Sequence, residues 1–353
     1  MPIRSDDLLL AALSAVAPGT ELRVGIEHIR SARTGALILI GDDERVDELC
    51  NGGFIVNVPF TPQRLFELAK MDGAIILDAG ASHILKANVH LVPDASLPTA
   101  ETGMRHRTAE RVSRQTEALV VSVSQRRDVV SLYRGGSKII LEDTEVVLSK
   151  ANQALMTLQR YRTRLDEVAA RLTMLEFEGV GTLGDVATVI QRAEMVLRVA
   201  RDVGRYIREL GSDGRLVRMQ AEELTAGVEE DYLMLIRDYA CDATARKAVT
   251  IRGRVSAMSL EHMLDGTLVA HALGYPATLE AVERHVAPLG YRLLRHIPML
   301  PGTVISRVIE RFGTLTALLG ASEHELDRIE GVGERQARAI AEGLRRMRDH
   351  ASS

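Results

Sequence analysis

Two short stretches of this sequence carry residue types at spacings that could do chemistry. The first is Met71-Asp72-Gly73-Ala74-Ile75-Ile76-Leu77-Asp78, which sets a carboxylate and a glycine at the mouth of an apolar strand. An Asp there can hold Mg²⁺ or take a hydroxyl proton, and a glycine lets a ligand lie against the backbone. Taken alone, Asp-Gly is more often a turn. The second is Glu101-Thr102-Gly103-Met104-Arg105-His106-Arg107-Thr108. If Gly103 ends a loop and Arg105 begins a helix, backbone N–H groups, two guanidinium forks and the Thr108 hydroxyl converge on one anion, and a triphosphate suits such a site. The plainer account of Arg-His-Arg on an amphipathic helix is a solvated face.

A third stretch, Leu326 to Ile340, reads as helix, tight Gly331-Val332-Gly333 turn, helix, with Ala337 and Ile340 facing back onto the first helix. It resembles the helix-hairpin-helix motif. A weaker copy lies 32 residues upstream, where Ile297-Pro298-Met299-Leu300-Pro301-Gly302 aligns on Ile329 to Glu334 and Ile305 and Val308 fall on Ala337 and Ile340. Glycines let the backbone approach a phosphate, while free N–H groups at the next helix start point at it. Arg335, Arg338, Arg345 and Arg346 add charge nearby. Such contacts position a protein on DNA without reading bases, so binding should be sequence-tolerant and salt-sensitive. The plainer account is an αα-hairpin whose glycines only close the turn. Met299 and Pro301 replace the glycines in the first copy, which points to a structural role there.

The elements that must position these residues follow from periodicity. Between about residues 35 and 141, short apolar runs alternate with amphipathic stretches, the mark of an α/β domain. Strands are expected at Ala36–Ile40, Phe54–Asn57, Gly73–Leu77, Ala118–Val123 and Val129–Tyr133. Thr61-Pro62 opens a helix continuing to Lys70, with Thr as N-cap and Pro in the first turn; Arg105–Thr116 reads as another. The apolar stretch Leu8–Val16 reads as a retained helix rather than a signal peptide, because Asp6 and Asp7 precede it.

After Glu142 the character changes. Leu148, Ala151, Leu155, Leu158, Leu165, Ala169 and Leu172 follow heptad spacing, broken by Arg162 at one seam position. Val186, Val189, Ile190, Ala193, Leu197, Ala200, Val203 and Ile207 form a second stripe, and similar patterning runs to about Gly274. Gly179-Val180-Gly181-Thr182-Leu183-Gly184 matches G-x-G-x-x-G, but a helical segment rather than a strand leads into it, so a loop between spine helices is the better account.

Composition bounds the rest. A chain of 353 residues suggests two or three domains. Apolar residues are 46% but aromatics only 3%, with no Trp, which favours helices and aliphatic strands over an aromatic-rich sandwich. A net charge of −4 gives no global reason to bind nucleic acid, so that role must be local. Cys50 and Cys241 are far apart and support neither a disulfide framework nor a zinc site, which fits a reducing cytoplasm. No apolar run approaches the length of a membrane span.

Asp72-Gly73-Ala74, then Gly103-Met104-Arg105-His106-Arg107-Thr108, then the Val120–Ser124 strand resemble the diadenylate cyclase domain. With the helical spine and C-terminal hairpins, the whole chain resembles the bacterial DNA-integrity-scanning diadenylate cyclases. The resemblance implies an α/β cyclase domain with a mixed central sheet at residues 1–145, an all-α spine at 146–287 and an all-α tandem helix-hairpin-helix domain at 288–353. It implies that two ATP become cyclic 3′,5′-di-AMP and two pyrophosphates, each site holding one ATP opposite another subunit's. Asp72 would hold Mg²⁺ or Mn²⁺ and assist deprotonation. Gly73, Ala74 and Leu91 would contact the nucleotide, Met104, Arg105, His106, Arg107 and Thr108 would cradle its phosphates, and Ser124 would lie nearby. His83 and His90 would be ordinary strand residues. Gly331, Val332, Gly333, Arg335 and Arg338 would contact branched DNA. The resemblance further implies octamers, regulation of cyclisation by DNA and a cytoplasmic, nucleoid-associated location. Two readings stand beside it: a non-catalytic DNA-junction scaffold whose α/β domain only binds nucleotide, and a ligase or nuclease with hairpins appended. The latter would need a lysine nucleophile motif or clustered carboxylates, and neither is evident; nor is a P-loop.

Overall fold

Residues 5–242 and 244–351 are described by the computed structural model, which divides into two compact units, Met1–Gln153 with Val203–Met219 and Ala154–Asp202 with Gln220–Ser353. The first unit runs α1 (Ser5–Ala15), α2 (Glu21–Ser31), β1 (Ala36–Ile40), α3 (Glu44–Leu49), β2 (Cys50–Asn51), β3 (Phe54–Pro59), α4 (Pro62–Leu68), β4 (Ala74–Leu77), β5 (His83–Leu91), α5 (Met104–Gln115), β6 (Leu119–Ser124), β7 (Val129–Arg134) and β8 (Ser137–Ile140).

The strands pair in the order β2-β5-β4-β1-β6-β7-β8, with β3 also on β5. The β1–β4 pair is parallel and the remaining pairs are antiparallel, so the sheet is mixed, as expected. Alternate side chains of β1 face opposite sides. Ile38 and Ile40 pack with Leu13, Ile26, Ile29 and Leu65 of α1, α2 and α4, while Leu37 and Leu39 join Val46, Ala109 and Val112 of α3 and α5. Burial on both faces is why this strand reads as an uninterrupted apolar run. Each fully buried Ile or Leu stabilises the unit by about 1.5–3 kcal/mol relative to exposure.

The local signals hold at their caps. Thr61 accepts from the Arg64 N–H and Pro62 stands in the first turn of α4, while Gly103 precedes α5. His83 and His90 lie on one strand, as expected: β5 extends from His83 to Leu91 through irregular pairing with β4.

The long heptad run is one helix, α6 (Thr144–Glu178), followed by α7 (Leu183–Leu210). Ala151, Leu155, Leu158, Leu165 and Leu172 are buried along α6. The seam arginine has a partner: Arg162 donates from Nη1 to the carbonyls of Leu224 and Ala226, at the end of α8 (Arg215–Thr225), where orphan carbonyls need donors. Between α6 and α7 the glycine-rich stretch is a loop. Gly179 lies at φ +72° directly after α6, and Asp185 accepts from the Thr182 N–H and hydroxyl.

The second unit continues with α9 (Val228–Tyr239), α10 (Ala245–Ser256), α11 (Leu260–Leu264), α12 (Gly266–Ala272), α13 (Leu279–Glu283), α14 (Tyr291–Arg295), α15 (Gly302–Phe312), α16 (Leu315–Leu319), α17 (Glu323–Asp327) and α18 (Glu334–Ala351). The offset of 32 residues is borne out by backbone geometry. Both Met299, at φ +65°, and Gly331, at φ +85°, are left-handed, and the Ile305→Pro301 and Ala337→Gly333 N–H bonds occupy equivalent places. Ile305, Val308, Ala337 and Ile340 are buried in one apolar cluster with Leu294 and Leu326. Among the described residues, no helix is long and apolar enough to cross a membrane.

Candidate active site and hairpin turns

The sheet brings the two chemical stretches together. Asp72 precedes β4 and Arg105 stands in the first turn of α5, and the Arg105 Nη2 donates to Asp72 Oδ1 at 2.8 Å. Both border a cleft of about 500 Å³ lined by Asp72 and the segments Glu101–His106 and Val123–Arg127. Asp72 is 94% exposed at its side chain. The first intrahelical bond of α5 runs from the Arg107 N–H to the Gly103 carbonyl, so the N–H groups of Met104, Arg105 and His106 lie ahead of the helical ladder, at the positive end of the helix. No side chain caps this end, since residue 103 is glycine.

Gly35, just before β1, makes room for the arginine: a Cβ there would stand 2.1 Å from Arg105 Nη1. The loop entering α5 is pinned by Glu110, which accepts from the Thr99 hydroxyl at 2.6 Å, the Ala100 N–H at 3.2 Å and Arg114 at 2.7 Å. Burial pushes the Glu110 carboxyl up, and these donors outweigh it and hold it below the usual carboxylate range. Glu101 likewise feels burial, but hydrogen bonds from Lys138 and Tyr133 keep it below that range. His106 Nδ1 lies 2.9 Å from the Tyr133 hydroxyl, which donates to Glu101 Oε1 at 3.0 Å.

Of the sequence-predicted nucleotide residues, Asp72, Met104, Arg105, His106 and Ser124 border the cleft. Gly73, Ala74, Leu91, Arg107 and Thr108 are not among its lining. Ala74 and Leu91 are buried in the apolar cluster that includes Ala109 and Val112 of α5. Gly73 faces the sheet: a Cβ on it would come within 2.5 Å of the Asn88 carbonyl carbon, where β5 bulges with Asn88 at φ +54°. Close backbone approach between β4 and β5 therefore demands glycine here whatever ligand is bound. Arg107 is exposed. The sequence did not give Gly35, Tyr133, Lys138, Arg126 or Arg127 a role at the site; Tyr133 and Lys138 are brought there on the paired strands β7 and β8, and Arg126 and Arg127 on the turn between β6 and β7. The Arg126-Arg127 doublet after the β6 run was the one local signal available for the rim.

At the second hairpin, Gly331, Gly333, Arg335 and Arg338 are exposed, while Val332 is buried as the apolar anchor of the turn. The Gly333 N–H donates to the Gln336 side chain at 3.2 Å, and Arg307 of α15 donates to the Glu330 carbonyl at 2.7 Å, tying the two hairpins together. At the first hairpin, Met299 is 87% exposed.

Residues 23–138 match the family described as "DisA bacterial checkpoint controller nucleotide-binding", and residues 141–282 match "DisA bacterial checkpoint controller linker region". The chain is 49% identical to the DNA integrity scanning protein DisA of Carboxydothermus hydrogenoformans, over 98% of this chain and 99% of that protein. It is 53% identical to that of Symbiobacterium thermophilum, over 95% of each chain. The DisA of Streptomyces avermitilis is 49% identical over 97% of this chain and 92% of its own. With identity near one half over almost the whole length, the chain belongs to the DisA family of DNA integrity scanning proteins.

Proposed function

We propose that this protein condenses two ATP into cyclic 3′,5′-di-AMP and two pyrophosphates, and that DNA held by its C-terminal hairpins regulates the reaction. The observation that carries the reading is the Asp72–Arg105 pair at the mouth of the cleft. It sets an anionic metal-binding or proton-accepting group beside cations that suit a triphosphate. Arg105, Arg126 and Arg127, with the N–H groups opening α5, supply positive charge where phosphoryl transfer builds negative charge. The Asp72 carboxylate orients the attacking hydroxyl of the facing nucleotide. Met104, 85% exposed, lies at the outer edge, where a second subunit would close the site.

The chain fits a divalent cation in one way. Among the described residues, no group of three or more His, Cys, Asp and Glu side chains is placed to hold a metal. Asp72 is a single open carboxylate, which suits Mg²⁺ or Mn²⁺ shared with phosphate oxygens and water rather than a protein-only cage. Bound there, the ion would neutralise phosphate charge and acidify the hydroxyl.

In this reading residues 1–145 are the cyclase, 146–287 the spine and 288–353 the DNA-gripping module. Gly331, Val332 and Gly333 shape the turn toward a phosphate, and Arg335 and Arg338 add charge. Residues 288–353 carry ten arginines against eight carboxylates, a locally positive balance in a chain of net charge −4. The assembly is an octamer in which cyclase sites face one another, and it acts in the cytoplasm at the nucleoid. The test is pyrophosphate release from ATP with Mg²⁺ or Mn²⁺, with and without Holliday-junction DNA. Release that junction DNA slows is the expected result. ATP binding without release would favour the non-catalytic junction scaffold instead, and DNA binding with unchanged release would remove the regulatory part.

A further inference from the structure

The chain of hydrogen bonds behind the cleft fixes the proton on one side of His106. Glu101 Oε1 accepts from Lys138 Nζ at 2.5 Å and from the Tyr133 hydroxyl at 3.0 Å. Glu101 is held in its charged form by these donors, against burial, and a carboxylate has no proton to give. Tyr133 must therefore spend its one proton on Glu101. Its oxygen, 2.9 Å from His106 Nδ1, is left to accept, so the imidazole donates through Nδ1–H. Burial also disfavours a charged imidazole: it lowers the His106 value, with Lys138, Arg127 and Arg105 adding to the effect and Glu101 opposing it. A neutral ring protonated at Nδ1 carries a lone pair at Nε2. No hydrogen bond to Nε2 is made among the described residues, and His106 borders the cleft.

We propose that Glu101 and Tyr133 are positioning residues that lock His106 as the Nδ1–H tautomer, so that its Nε2 accepts a hydrogen bond from the nucleoside part of the nucleotide. The inference rests on the nucleotide-site reading and revises one detail of it. An ionised phosphate offers only acceptors and would face a lone pair, so phosphate charge falls to Arg105, Arg126 and Arg127. The donors that ATP does offer are its ribose hydroxyls and its adenine amino group.

Competition against a fluorescent ATP analogue on the full-length protein separates the roles, with adenosine and inorganic tripolyphosphate as the two probes. His106→Ala and Tyr133→Phe should each weaken adenosine about tenfold, the scale of one hydrogen bond, and leave tripolyphosphate within twofold. His106→Gln, whose amide oxygen can replace the Nε2 acceptor, should retain most of the adenosine affinity, whereas His106→Asn should lose it. Loss of tripolyphosphate with adenosine unchanged would make His106 a phosphate ligand and overturn the proposal. Equal loss of both probes would mark a structural role and overturn it too, as would a Tyr133→Phe protein with unchanged adenosine affinity. 2′-Deoxyadenosine, 3′-deoxyadenosine and purine riboside then identify the donor, and equal binding of all three in wild type and His106→Ala would contradict the contact. Binding of ATP itself by the wild type is the control: its absence defeats the nucleotide reading, whereas its presence with the wrong probe pattern defeats only this inference.

Discussion

Gly35 and Arg105 share one space: the guanidinium that pairs with Asp72 lies where a side chain on residue 35 would begin, 2.1 Å from Nη1 to the missing Cβ. The relationship is testable because the obstacle is the far end of a flexible side chain, which can move without unfolding the sheet. In Gly35→Ala, Arg105 is displaced from Asp72. Turnover of ATP should fall by tenfold or more, about 1.4 kcal/mol or above in transition-state stabilisation, with the melting temperature changed by only a few degrees. Steady-state kinetics beside a thermal melt reads both.

The paired hairpin turns predict opposite signs for opposite exchanges. Gly331→Ala places a Cβ on a left-handed residue, 2.5 Å from Arg307 Nη1, and should cost about 1–2 kcal/mol while loosening DNA binding and sparing cyclisation. Met299→Gly removes a left-handed side chain that is 87% exposed. Relief of about 1–2 kcal/mol, less the entropy of a more flexible unfolded chain, should leave the protein no less stable, with a gain of up to about 1 kcal/mol. Chemical denaturation of the two variants beside wild type measures the contrast.

Within the helical unit, Arg292 binds Glu176 at near-complete burial, its side chain 8% and that of Glu176 1% exposed. The Tyr239 hydroxyl also donates to Glu176 at 2.7 Å, and Asp238 accepts from the N–H groups of Gly290, Tyr291 and Arg292 at the start of α14. Arg292→Leu strands a buried carboxylate and should cost about 3–5 kcal/mol. Adding Glu176→Gln removes the stranded charge but keeps an acceptor for Tyr239, so the double variant should be more stable than Arg292→Leu alone. A double-mutant cycle by urea denaturation checks the order.

Acid sensitivity follows from the loop that enters α5. Glu101 and Glu110 both lie below their usual value of 4.5 when folded. The stability they contribute is present above that value and is lost as pH falls through their lower folded values, because the unfolded chain takes up protons first. Lys138→Met removes a donor that lowers Glu101, so the acid-unfolding midpoint should move to higher pH, as followed by circular dichroism from pH 6 to pH 2.

Elements whose cause is local were legible from the residues alone. The apolar runs of β1, β4, β6 and β7, the Thr61-Pro62 helix start and the Gly103 entry to α5 all stand within a residue or two of their expected places. So does the hairpin repeat, since both turns are encoded in short runs. Short α3 and the edge strand β8 were not anticipated, being too brief to show a period. Contacts across the sheet were hidden for a different reason. Nothing near Gly73 announces that Asn88 lies against it, and nothing near His106 announces Tyr133, because the pairing of β4 with β5 in the first case and the packing of α5 on β7 in the second, rather than sequence proximity, bring them together. Gly73 is the instructive case. A glycine beside a candidate catalytic carboxylate invites a ligand-based explanation, yet the sheet requires it first.

The most direct measurement is mass spectrometry of the products after full-length protein is incubated with ATP and Mg²⁺ or Mn²⁺, alongside Asp72→Asn. Asp72 is 94% exposed, and the neutral amide keeps a hydrogen-bond acceptor in place for Arg105, so the fold should survive the exchange. Cyclic di-AMP is expected from the wild type, with a loss of at least a hundredfold in the variant. ATP left unchanged by a folded wild type, or cyclic di-AMP formed equally well by Asp72→Asn, would contradict the proposed reaction.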